Sequence, residues 1–257
     1  MDGWKVHRTT LGPEVSDAEW EARVELAATY RIFAHLGWTE LIYNHLSLRV
    51  PGEPGSLLMN PFGLAYDEVR ASNLVKVNAD GEPMGSSRWP INVAGITSHC
   101  AIHRGIPDAH CVMHIHTTAG VAVACMPDGL TMTSIYAAQL QGIVAYHDFE
   151  GITVYPEEGA RIVRSLREKP ALIMRNHGLL AWGPTVANAF TTLWLLNRAC
   201  EIQLAARSMG PMREITPDVQ RKCAQDSFHF NRAYGAGQDV FDAMVRRLDK
   251  IDTSYRT

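Results

Sequence analysis

The chain has no Cys-x-x-Cys pair, which excludes a thiolate zinc ribbon. Its five cysteines, at positions 100, 111, 125, 200 and 223, are odd in number, scattered and mostly set in apolar stretches. That is the pattern of reduced core thiols in a cytosolic protein, not of a disulfide frame. No uninterrupted apolar run approaches the ~20 residues needed to span a bilayer. The opening MDGWKVHRTT lacks a basic region followed by an apolar core, so no secretory signal is read there. Basic residues are not in excess either: 24 Lys and Arg face 27 Asp and Glu, for a net charge of −3. That balance gives no electrostatic case for nucleic acid. Together these absences point to a cytoplasmic protein that engages neither membrane nor nucleic acid.

What remains is an ordinary soluble composition, 46% hydrophobic and 20% charged. A chain of 257 residues can form one large domain or two small ones. With no internal repeat, low-complexity tract or linker in view, one domain is the reading. Residues 1–15 form an N-terminal arm, 16–210 the body, and 211–257 a helical extension of the same domain.

The chain is organised around His110 to Gly120, HCVMHIHTTAG, together with Arg175-Asn176-His177-Gly178. In an extended strand, residues i and i+2 share a face, so His114 and His116 project side by side. Neutral imidazole is the commonest protein metal ligand. Catalytic zinc and non-haem iron sites often use three protein ligands and keep a position open. His177 fits the third place, because Asn-His-Gly follows the apolar run Ala171 to Met174, where a strand delivers its end to a site.

Periodicity places the other elements. Ser16 with Glu19 is a capping-box signature opening a helix that Gly37 stops. Strands are expected over Leu41–Val50, Leu57–Met59, Leu74–Val77, 171–174 and 179–182. Helices are expected over Asn92–Arg104, with His99 and His103 four apart on one face, and over 119–125, 134–141 and Gly159–Leu166. Thr185–Ser208 is the longest helix, and 217–250 reads as terminal helices.

These pieces resemble the class II aldolase/adducin family. The resemblance is carried by Tyr43-Asn44-His45-Leu46-Ser47-Leu48-Arg49, Asn60-Pro61-x-Gly63, Tyr66-Asp67-Glu68, Asp80-Gly81, Pro107-Asp108, HIHT at 114–117 and RNHGLL at 175–180. It implies an α/β fold, an α/β/α sandwich around a mixed, largely antiparallel sheet, assembled as a homotetramer. It also implies that His114, His116 and His177 hold a divalent metal, zinc first, with Fe²⁺ or Mn²⁺ as alternatives. The wording of Asn92-x-Ala94-Gly95, Ala145-Tyr146-His147-Asp148 and Ala199-Cys200-Glu201-Ile202-Gln203 is adducin-like.

The chain departs from the sugar-phosphate aldolases at the phosphate cradle and the catalytic acid. Their Gly-Asn pair corresponds to Asn44 and His45, and their Ser-Ser-Glu to Val93, Ala94 and Gly95. Ser86-Ser87 upstream is out of register, with Arg88 where an acid would stand. The resulting expectation is a metal-dependent aldolase-like lyase for a small non-phosphorylated hydroxycarbonyl or keto acid. Decarboxylation, isomerisation and iron-dependent oxygen chemistry are alternatives on the same scaffold. The rival from another class is a non-catalytic adducin-like binding or assembly module.

Candidates for proton transfer are His99 and Tyr136, the latter supplied across a subunit boundary. The alternatives for His99 are a fourth ligand or a satisfied core histidine, and for Tyr136 a buried aromatic. Asn44, His45, Asn60 and Asn92 are candidate substrate contacts, with turn and cap roles explaining the asparagines equally well. His147 either enters the site or caps a turn.

Overall fold

A computed structural model describes residues 15–85, 87–229 and 237–257. The expected arm therefore lies outside the described residues except for Val15, as does Ser86.

The first helix, α1 (Asp17–Leu36), starts where Ser16 Oγ accepts the Glu19 amide and ends on left-handed Gly37. The first strand is shorter than expected. β1 spans His45–Arg49, because Glu40 and Leu41 take left-handed backbone and Leu41 to Tyr43 form a turn. A strand cannot begin until that turn is complete. β2 (Leu57–Met59) and β3 (Val75–Val77) follow, with a 3₁₀ turn over Tyr66–Glu68 between them.

Asn92 caps α2 (Val93–Gly105), and β4 (Cys111–Ile115) comes next. Two short helices, α3 (Thr118–Ala124) and α4 (Ile135–Gln139), are capped by Thr117 and Ser134. β5 (Val144–His147) is a strand that the sequence reading did not include. It is four residues long, half-exposed and at the sheet edge, so its alternation is weak. α5 (Pro156–Leu166), β6 (Ala171–Met174), β7 (Gly178–Gly183) and the long α6 (Val186–Ser208) complete the body. α7 (Pro217–His229) rests on α4, and α8 (Gln238–Asp249) lies against α6 and α1.

The seven strands form one sheet in the order β3-β2-β1-β4-β7-β6-β5. Every pairing is antiparallel except β5 with β6. Alternation divides its two faces. Leu46, Leu48, Cys111, Met113, Ile115, Ile173 and Leu179 pack into the core shared with α1, α3 and α6. Val112, Leu172, Leu180 and Trp182 pack against Ile102 and Ile106 of α2 and Ile162 and Leu166 of α5. The result is a mixed sheet between two helical layers, the α/β/α sandwich expected.

That division fixes the chemistry. With Leu46 and Leu48 in the first core, His45, Ser47 and Arg49 face α2, where His99 and His103 lie on the inner side of the helix. His114 joins this polar stripe, since β1 pairs with β4 in the register His45 to His114.

The chain end returns to the start. Tyr255 and Thr257 carbonyls accept the Ala71 and Ser72 amides, and Asp252 pairs with Arg31 at 2.7 Å. Among the described residues, no helix is long and apolar enough to cross a membrane.

Candidate metal centre

His114 is buried within β4, and its Nδ1 lies 2.9 Å from the Leu179 carbonyl of β7. A carbonyl only accepts, so the proton sits on Nδ1 and Nε2 is bare. That Nε2 is 2.6 Å from Nε2 of His116. With the His116 proton on Nδ1, the two bare nitrogens form a donor pair for a shared cation.

His177 closes the group. Ring centroids of His114 and His177 are 4.9 Å apart, and those of His116 and His177 4.8 Å. The ligand atoms of all three lie within 4.8 Å of one another, the one such group of three or more among the described residues.

The backbone explains the convergence. His177 sits in the tight turn from β6 to β7, where Asn176 is left-handed and its amide is held by the Ala124 carbonyl. Gly178 lets β7 approach β4: a Cβ there would stand 2.5 Å from the Ile115 carbonyl oxygen and 2.8 Å from His116 Cδ2. Asn44 holds His116 from below. Its Oδ1 accepts the His116 amide at 3.1 Å, while its Nδ2 donates to the Trp38 carbonyl.

Burial keeps the trio neutral, with repulsion from neighbouring histidines adding to it at His114 and His177. His114 is pushed well below the ordinary imidazole value and His177 down to about 4. His116 is also lowered by burial, against the opposing pull of Glu40. Neutral rings are the ligand form, so a divalent cation fits these donors without displacing protons.

A second polar cluster adjoins the first. The His45 and His114 rings lie 4.9 Å apart at 31°. His45 Nδ1 is 2.9 Å from His99 Nε2, His99 Nδ1 is 2.6 Å from Ser47 Oγ, and Ser47 Oγ is 2.7 Å from His103 Nε2. His103 Nδ1 ends the run 2.6 Å from the Ala109 carbonyl. Sequence reasoning named His45 and His99 separately and gave Ser47 and His103 no role. The available signal was Ser47 two residues from His45, opposite a histidine pair at helical spacing.

The remaining candidates are placed elsewhere. Asn60 bonds the buried Tyr30 hydroxyl at 2.9 Å, and Asn92 caps α2 by accepting the Ala94 and Gly95 amides. Tyr136 packs edge-on to Trp194 of α6, in the layer on the other side of the sheet from the His45 stripe. His147 turns toward α5, with Nδ1 2.9 Å from Ser165 Oγ and Nε2 without a hydrogen-bond partner. Arg88 lies over Trp89 on the surface, and Ser87 Oγ donates to the Trp89 carbonyl of its own loop.

Comparison with known proteins gives the family and the fold. A family model described as the class II aldolase and adducin N-terminal domain matches residues 24–204. Rat alpha-adducin is 42% identical over 249 residues, which cover 91% of this chain and 34% of that protein. The crystal structure of an aldolase II superfamily protein from Pseudomonas syringae superposes with a TM-score of 0.91 at 40% identity, covering 96% of this chain and 100% of that one. An L-fuculose 1-phosphate aldolase from Glaciozyma antarctica superposes with a TM-score of 0.82 at 27% identity, covering 95% of each chain. The fold thus has its counterpart in a known family, and this chain belongs to it: the class II aldolase and adducin N-terminal domain family.

Proposed function

We propose that the protein is a metal-dependent, aldolase-like lyase that makes or breaks a C–C bond in a small, non-phosphorylated hydroxycarbonyl or keto acid. The observation that carries this reading is the convergence of His114, His116 and His177, with His114 Nδ1 committed to the Leu179 carbonyl. Three imidazoles leave positions open on a zinc ion, the first choice of metal, with Fe²⁺ and Mn²⁺ as alternatives. Such an ion would supply Lewis acidity, polarising a carbonyl oxygen and stabilising the charge that develops on it as the adjacent bond breaks.

The chain's own residues do the remainder. The Leu179 carbonyl orients His114, Asn44 orients His116, and the β6–β7 turn delivers His177. His45 lies beside them as a polar face toward a ligand. The phosphate end is not provided for: Val93 and Ala94 offer no side-chain donor, and Ser87 is exposed and bonded within its own loop. Gly95 offers no carboxylate for proton transfer.

The same proposal includes a homotetramer in the cytoplasm, built from single-domain subunits. Phe149, whose ring is 6.1 Å from His177, begins an exposed apolar run with Ile152, Val154 and Tyr155, which supports a subunit contact beside the site. Tyr136 would then serve a neighbour's site. Likeness to alpha-adducin favours a second reading, a binding module whose histidines hold a structural ion.

The test is elemental analysis followed by assay of the metal-loaded protein. Fuculose-, rhamnulose- and ribulose-phosphates should turn over very weakly, and one of a panel of hydroxyketones and keto acids should react. Robust cleavage of a phosphosugar would overturn the substrate class, and a metal site with no open position would favour the module.

A further inference from the structure

His45, His99, His103 and Ser47 are buried between β1 and α2, with their hydrogen bonds running in one line. The fixed end of that line is the Ala109 carbonyl. It can only accept, so His103 Nδ1 carries its proton. Arg49 Nε donates to the same oxygen at 3.0 Å and holds it in place. Burial pushes His103 down to about 3, so the ring is neutral and its Nε2 is bare.

The Ser47 hydroxyl has one proton, and His103 Nε2 at 2.7 Å needs it. Ser47 Oγ is therefore the acceptor for His99 Nδ1–H. His99, neutral because it is completely buried, has a bare Nε2 that must accept from His45 Nδ1–H. His45 is buried as well, and a neutral ring that donates through Nδ1 carries no proton on Nε2. Each tautomer follows from the one before it, back to a single backbone oxygen.

We propose that this relay locks His45 as its Nδ1–H tautomer and presents its bare Nε2 as a hydrogen-bond acceptor for a hydroxyl of the substrate held at the three-histidine cluster. His45 is the Cα partner of His114 and its ring lies against that ligand, while the converging ligand atoms belong to the other three histidines. The His45 ring therefore stands beside the ion site, and Nε2 is its remaining acceptor for a second oxygen of a bound hydroxycarbonyl. Gly95 makes the room: a Cβ there would come within 3.0 Å of that nitrogen. His99, with both nitrogens engaged, is a positioning residue acting through His45, not the group that meets substrate. The inference rests on the proposed function, narrows it toward substrates with a hydroxyl, and predicts a tautomer that needs no substrate to measure.

Long-range ¹H–¹⁵N spectra of the full-length, zinc-loaded protein with labelled histidine give that measurement. His45, His99 and His103 should each be protonated on Nδ1 alone. Ser47→Ala should retain zinc yet lose the single tautomer at His45. An Nε2–H form of His45 in the wild type, or an unchanged signature in Ser47→Ala, overturns the relay; the wild-type spectrum decides if the variant does not fold.

Glycolate and acetate then probe the acceptor. Saturating glycolate should shift the His45 Nε2 resonance and acetate should not; an unmoved resonance overturns the role. The preference for glycolate should fall about tenfold in a zinc-replete His45→Leu variant, the size of one hydrogen bond. An unchanged preference also overturns it. His114 resonances in the same spectra report whether the ligand reached the metal. If they stay still, the proposed function fails while the tautomer result stands.

Discussion

His45 lies so close to Gly95 that a methyl group on the glycine would stand 2.6 Å from its Cδ2 and 2.7 Å from its Cγ. These two positions correspond, on the family resemblance, to an asparagine of the phosphate cradle and the catalytic glutamate. The imidazole has room only because the second side chain is absent. On an open helix face, Gly→Ala stabilises by about 0.5–1 kcal/mol. Here overpacking should reverse the sign, and Gly95→Ala should lose about 1–3 kcal/mol. Urea denaturation reads this directly; a variant as stable as the wild type would show that the contact is loose.

The three-histidine cluster should bind about one divalent ion per chain, zinc under ordinary expression, following its donor set. The His114→Ala/His116→Ala double variant should carry none, and His177→Ala very little. Elemental analysis of the purified proteins checks this. Full occupancy in the double variant would place the metal elsewhere.

Gly178 offers a test that leaves every ligand in place. A Cβ there meets the Ile115 carbonyl and His116 Cδ2, so Gly178→Ala should push β7 away from β4 and misalign two of the rings. Disturbing the surroundings of a metal ligand typically costs about 10–100-fold in affinity. Competition with a chromogenic chelator measures it, and wild-type affinity would mean that the turn adjusts without moving the histidines.

Glu25 lies in a groove of about 760 Å³ between α1 and α8, also lined by Trp20, Phe241 and Asp242. Burial, with Asp242 adding to it, raises its carboxyl to about 7 from an ordinary value of 4.5. Because the folded value is the higher one, its contribution is fully present below the unfolded value and is lost as pH rises through 7. Glu25→Gln should therefore match wild-type stability near pH 4 and exceed it near pH 8 by on the order of 1–3 kcal/mol. Thermal midpoints at the two pH values decide it, and equal midpoints at both would remove the charge from the account.

Light scattering at micromolar concentration should give the mass of a tetramer. Replacing exposed Phe149 and Tyr155 with Ser should weaken assembly, since Phe149 stands beside His177 and Tyr155 continues the exposed apolar run. A monomer mass for the wild-type protein would end the proposal of a site completed by a neighbour.

The sequence by itself determined the elements with strong local signals. Ser16 and Gly37 bounded α1 because a side-chain cap and a left-handed stop are properties of single residues. The alternation of 111–116 put His114 and His116 on one face because a strand has a period of two. Asn176-His177-Gly178 was legible as the end of a strand because it follows the apolar run Ala171 to Met174. Weak local signals failed where expected: β5 was too short and exposed to register, and β1 lost its first residues to left-handed Glu40 and Leu41.

Only the tertiary structure decided what met what. The register of His45 with His114 depends on hydrogen bonds between strands distant in sequence, and the burial of His99 depends on α2 covering that face. His99, legible as a candidate base, is engaged through both nitrogens, whereas His45, legible only as a polar neighbour, faces the cluster. No local pattern assigns a tautomer. It takes the Ala109 carbonyl, brought to His103 by the fold, to set the protons along the line, because a backbone oxygen can accept and never donate.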